Sequence, residues 1–209
     1  MPLVKLATTL QIKDPVRGYI GLTELEEKIL DLRLTQRLRN IRWPAGVYKV
    51  YPGADTSLMG HMLGFMDLTH IMFDYLRGDA WTIQLARLAA MLLSVARGAW
   101  ANSMEEYLHT LGASRQRLAA HIVTKSVVKD IVEDSTYAVG EVRDAVTKGI
   151  PLKSLRIDLD TVPVNPEFMD SLERDAYFAG VDYAPCLLYT SDAADEGLGV
   201  DLGGRRIIK

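Results

Sequence analysis

Four histidines, a single cysteine and a cluster of arginines are the first candidates for chemistry in this 209-residue chain. His61, His70, His109 and His121 show no ligand spacing such as H-E-x-x-H, so the last three are expected at surface or boundary positions. His61 shares an apolar helical face with Phe65 and Leu68, where a histidine is either a core residue bonded to a neighbour or a metal ligand. Cys186 stands alone, which excludes an internal disulfide and a cysteine-based zinc cluster. Arg37, Arg39 and Arg42 place positive charge on one short predicted helix, which can meet a phosphate, meet acids of a partner subunit, or simply face solvent. The chain contains no P-loop, dinucleotide fingerprint or nucleophile elbow.

The elements that must position these side chains are mostly helical. Residues 10–22 read as two extended pieces around the Asp14-Pro15 and Gly18 turn signals. Thr23 and Glu26 make a capping box for a helix that turns Leu25, Ile29 and Leu30 inward. A second helix is predicted over Leu34 to Ile41, stopping ahead of Pro44. Asp55 or Thr56 can cap a long helix from about Ser57 to Leu76, and the stretch from Thr82 to Ala96 is apolar nearly all round, as a central enclosed helix must be. Further helices are predicted near 101–111, 114–124, 126–133, 137–148 and 166–175, with no repeat of solenoid period. The fold class is therefore mainly α, with a short N-terminal β-hairpin. A composition 48% hydrophobic and 24% charged supports one packed domain, and a formal charge of −3 gives no basis for sequence-independent nucleic-acid binding. No apolar run is long enough to span a bilayer and Met1 to Lys13 lacks the order of a secretory signal, so a cytoplasmic protein without a membrane partner is expected.

Read in order, IKDPVRGYIGLTELEEKILD, QRLRNI and VYPGA, then ARLAAMLL at 86–93 and LERDAYFAGVDY at 172–183, this sequence resembles the HD-domain deoxynucleotide triphosphohydrolases. The resemblance runs across residues 10–183 and implies a multi-helix HD-domain fold. The family's chemistry needs a divalent metal (Mn, Mg or Fe) held by two histidines and two aspartates, which lowers the pKa of an attacking water. The resemblance carries those four positions onto His61, Leu93, Ser94 and Glu167. Leucine has no donor and a neutral serine is a poor substitute for a carboxylate, so the metal site is expected to be broken and no cofactor is expected.

Other family positions have changed with it: Trp43, Leu58, Arg97, Arg115-Gln116, Phe168 and Ser171 stand where the family has polar phosphate-site residues. Asp170, Arg174 and Asp175 persist. Arg97 is expected either exposed at a helix end, where a cation suits the dipole, or neutralising Glu167 in place of the lost cation. Asp31, Gln36 and Arg39 match positions that contact a regulatory guanine nucleotide in some members, and structural salt-bridging is the competing account. The expectation is a catalytically inactive regulatory or structural subunit with a possible nucleotide ligand, in a homo-oligomer or paired with an active HD paralogue. The alternative is a phosphohydrolase using His61, Glu167 and Asp170 or Asp175 for an unorthodox metal site.

The last stretch, Cys186 to Lys209, loses hydrophobic periodicity and resembles translated sequencing adapter on both sides of a short GLG. The expected organisation is a degenerate HD domain over 1–185, incomplete at its C-terminus, followed by a non-native tail over 186–209. Without that tail the formal charge is −2, so the charge argument stands.

Overall fold

The computed structural model describes residues 4–159 and 165–181, and the tail read as adapter-derived lies outside them. Leu10–Asp14 (β1) and Gly18–Leu22 (β2) form an antiparallel hairpin in register from Leu10↔Leu22 to Asp14↔Gly18. Asp14 builds the turn, its Oδ1 accepting from the backbone N–H of Val16 at 3.0 Å and Arg17 at 2.8 Å. Gly18 completes it at a φ of +78°, which other residues adopt at a cost. The alternation buries Ile20 and Leu22 against the helices.

Glu24–Leu30 (α1) starts at the expected capping box: Thr23 accepts from the Glu26 N–H while the Glu26 carboxylate accepts from the Thr23 N–H. The second helix is shorter than predicted. Arg33–Gln36 (α2) passes into a 3₁₀ turn over Arg37–Asn40, and Ile41 is already extended. The cause is tertiary, because Arg42–Trp43 (β3) pairs with Thr56–Ser57 (β4). That pairing also moves the cap of Leu58–Tyr75 (α3). Ser57, not Asp55 or Thr56, accepts from the Gly60 N–H, while Asp55 pairs instead with Arg42 at 3.2 Å.

Ala80–Val95 (α4) is the centre of the fold, buried at every position except Ala80, Trp81 and Gln84. Each buried Leu, Ile, Met or Val side chain there contributes about 1.5–3 kcal/mol. Glu26 of α1 is fully buried and meets Arg87 of α4 through two hydrogen bonds of 2.7 and 2.9 Å, so the capping acid also ties the hairpin end to the central helix. Asn102–Thr110 (α5), Arg115–Lys125 (α6), Val127–Glu133 (α7) and Val139–Lys148 (α8) follow near their predicted bounds. A hairpin of Ile150–Leu152 (β5) and Leu155–Ile157 (β6) precedes Pro166–Ala179 (α9). The last helix is one turn longer than expected, ending at Gly180 with a φ of +70°. It packs along α3, which in turn packs on α4, and the candidate site lies where these three helices meet α5 and α6.

Candidate functional site

α3 contributes His61, fully buried, with its ring stacked on Trp43 at 4.2 Å between centroids and 12° between planes. The His61 Nδ1 lies 2.7 Å from Asp170 Oδ2, one turn beyond Glu167 on α9. Arg174 donates its Nε to the same Asp170 oxygen at 2.8 Å and its Nη1 to Asp14 Oδ2 at 2.9 Å. All four are at most 5% exposed. Gly64 on α3 makes room for this arrangement: a Cβ built there would meet Asp170 Oδ1 at 1.7 Å. His61 is thus a core histidine bonded to a neighbour, within a chain of buried charges from the hairpin turn to α9.

Glu167 forms the second half of the site. Its Oε1 accepts from Arg97, beyond the end of α4, and from Arg115 Nη1 at 2.7 Å at the start of α6. Arg97 is 4% exposed, its guanidinium lying 4.4 Å over the Trp43 ring. The exposed helix-end placement considered for Arg97 is therefore incorrect: Arg37 holds the carbonyls of Val95 and Arg97 from the other side and turns the segment inward. Glu105 on α5 adds a second acid, 3.0 Å from Arg97 Nε and 3.6 Å from Arg115 Nη1. Burial alone would raise the Glu167 carboxyl, but His61, Arg115 and Arg97 outweigh it and hold Glu167 well below its ordinary value of 4.5. Burial, together with neighbouring Arg115, pushes Arg97 down to about 10 despite Glu167 and Glu105.

These donors do not fit a divalent cation. Leu93 offers none, and Ser94 donates its hydroxyl to the Ala90 carbonyl at 3.0 Å. The His61 Nε2 is 3.8 Å from Glu167 Oε1, whose near side is filled by two guanidinium groups, and Asp170 is engaged by Arg174 and His61. Among the described residues no group of three or more His, Cys, Asp or Glu is disposed to hold a metal ion. Asp175, on the same helix, is half-buried.

The other candidates lie apart from this centre. Gln36 donates to the Leu30 carbonyl at 2.8 Å and accepts from Arg39 Nε at 2.7 Å, while Asp31 is exposed at the end of α1 and forms no ion pair with Arg39. The three predicted arginines do not share one helix: Arg37 is pinned to carbonyls, and Arg42 sits in β3 over the Tyr48 ring. His70 bonds the Val4 carbonyl at 2.9 Å, and His109 and His121 are exposed. Sequence reasoning missed Glu105 entirely, because an acid on the polar face of a short helix carries no spacing signal. Trp43, Arg97 and Arg115 stood out only as replacements.

No family model matches the chain. It is 28% identical over 200 residues to the uncharacterized protein YwfO of Bacillus subtilis, covering 87% of this chain and 43% of that protein. An uncharacterized protein of Methanocaldococcus jannaschii is 26% identical over 172 residues, covering 82% of this chain and 34% of its own length. The chain thus spans less than half the length of these two relatives. The deoxynucleoside triphosphate triphosphohydrolase SAMHD1 of Homo sapiens is 43% identical over 53 residues, 25% of this chain and 8% of that enzyme. A solved structure of a hypothetical protein from Aquifex aeolicus superposes with a TM-score of 0.69 at 22% identity, over 83% of this chain and 47% of that one. The chain therefore shares its fold with the Aquifex protein and a short stretch of sequence with a triphosphohydrolase.

Proposed function

We propose that this chain is a catalytically inactive HD-domain phosphohydrolase-like protein, a regulatory or structural subunit that binds a nucleotide without hydrolysing it. The observation that carries the reading is the Glu167 carboxylate bridged by Arg97 and Arg115, while Leu93 and Ser94 supply no metal ligand. An arginine guanidinium can hold an anion but stays protonated and does not coordinate water, so it cannot generate the hydroxide that metal-assisted hydrolysis requires. The segment shared with SAMHD1 supports the phosphohydrolase-like scaffold. Gln36 and Arg39, bonded to one another beside exposed Asp31, are the second place where a guanine nucleotide or a partner subunit would be met.

The test is a hydrolysis assay of the full chain on the four dNTPs and GTP, with Mn²⁺ and with Mg²⁺. No triphosphate release, together with a rise in melting temperature on adding nucleotide, is the expected result. Release abolished by His61→Ala would overturn the reading and favour a rebuilt metal site.

A further inference from the structure

Resting on that reading of the site, we propose that the cleft beside Arg97 and Arg115 takes a single phosphoryl group, inorganic or esterified, without a divalent cation, and that Glu105 stands in for it in the free chain. The cleft has a volume of about 400 Å³ and is lined by Trp43, Arg97, Glu105, Arg115, Asn165 and Glu167, with Phe168 and further polar side chains around them. Among the described residues, two of its buried donors find no hydrogen-bond acceptor. They are Arg97 Nη1, on a residue 4% exposed, and Trp43 Nε1, on one 2% exposed. A buried donor without an acceptor is unfavourable, and two lining one cleft call for an oxygen-rich ligand.

The backbone supports the same ligand class. α6 begins at Arg115 under its Ser114 cap and α9 begins at Pro166 under its Asn165 cap, so the positive ends of an 11-residue and a 14-residue helix border the cleft. Glu105 already places a carboxylate between the two guanidinium groups. Its side chain is 29% exposed and on a helix near the surface, so it can exchange into water, which the more deeply buried Glu167 cannot. Charge sets the size of the ligand. The two arginines are balanced by Glu105 and Glu167, and release of Glu105 leaves one net positive charge. A phosphoryl group of one to two negative charges answers that, whereas a metal-free triphosphate brings several uncompensated charges into a site with a buried acid.

The experiment uses the full chain in EDTA and titrates inorganic phosphate and a nucleoside 5′-monophosphate, reading melting temperature and calorimetric heat against NaCl at matched ionic strength. Both probes are expected to bind. Tighter binding of the monophosphate assigns the site to an ester, and equal binding assigns it to phosphate itself. Glu105→Gln removes the competing carboxylate and should bind phosphate several-fold tighter, while Arg115→Gln should weaken it about tenfold, a loss of about 1.4 kcal/mol. Arg115→Lys, which keeps the charge, should retain part of the affinity and separates loss of a ligand contact from loss of fold. Stabilisation no greater than with NaCl, unchanged affinity in Glu105→Gln, or binding only with added Mg²⁺ would overturn the proposal. Triphosphate hydrolysis with a metal present would instead overturn the proposed function, so the two failures are told apart.

Discussion

Removing the Arg97 guanidinium should show how much of the fold rests on a cation at this position. Arg97→Ala leaves Glu167, 8% exposed, with Arg115 at 2.7 Å and the His61 Nε2 at 3.8 Å. Deleting one partner of a buried ion pair costs about 3–5 kcal/mol. Arg115 remains, which puts this pair at the low end of that range. Loss of the cation over Trp43 adds roughly 0.5–2 kcal/mol. A net loss of about 4 kcal/mol lowers the melting temperature of a domain this size by roughly 8–16 °C. Urea denaturation and thermal melts measure it directly. The second arm is Arg97→Ala combined with Glu167→Gln. If the penalty is the uncompensated carboxylate, neutralising that carboxylate recovers about half of it, and the two substitutions are non-additive by roughly 1–2 kcal/mol. A single-variant loss below about 1 kcal/mol, or strict additivity in the pair, would refute the idea that Arg97 is the resident cation of the site.

Two further outcomes concern the site and a third the start of α4. Glu167 is held below its ordinary value of 4.5, so its contribution is present above that pH and is lost as pH falls below it; wild type should lose more urea stability than Glu167→Gln between about pH 5 and pH 3. Gly64→Ala drives a methyl into Asp170 Oδ1 and Arg174 Nη2, built at 1.7 and 2.4 Å, and should cost about 3 kcal/mol or more as overpacking that also breaks a buried ion pair, read as a fall in urea midpoint. Tyr137 donates to the Trp81 carbonyl at 3.0 Å and burial, with nearby Asp79, Glu26 and Glu141, pushes its hydroxyl up to about 12; its contribution is complete below pH 10 and lost as pH rises toward 12, so Tyr137→Phe should lose about 1 kcal/mol at neutral pH and show a flatter alkaline limb.

The helices were legible because their signals are local. The Thr23–Glu26 box, the all-round apolarity of α4 and the Asp14–Gly18 turn each encode their structure within a few residues, and the structure follows them. The misread segments are those decided by distant partners. The predicted helix over Leu34 to Ile41 yields to β3 pairing with β4, a contact between residues 42–43 and 56–57 that no local pattern announces. The β5–β6 hairpin is three residues per strand and left no alternation long enough to see. At the site, which residues differ from the resembled family was readable, but where their side chains went was not. Arg97 follows an apolar helix and could have pointed either way. Its inward turn depends on Arg37, 60 residues earlier, holding the Arg97 carbonyl.

The replacements at the site are easier to understand together than one at a time. A scaffold that keeps Glu167 and Asp170 buried has to neutralise them, and a carboxylate left alone in such a place costs several kcal/mol. Asp170 has Arg174 and His61. Glu167 has Arg97 and Arg115, at two positions where the resembled family carries neutral or titratable polar groups. On the proposed reading, two fixed guanidinium charges replace the two charges of a divalent ion, so the helices can pack as they would around the metal. The exchange preserves charge but not chemistry. A metal offers open coordination positions that acidify water, while guanidinium groups offer only directional N–H donors. Such donors are suited to holding an oxyanion at rest. On that reading, a retained fold, a loss of hydrolysis and the proposed binding of a phosphoryl group all follow from one substitution of arginine for metal.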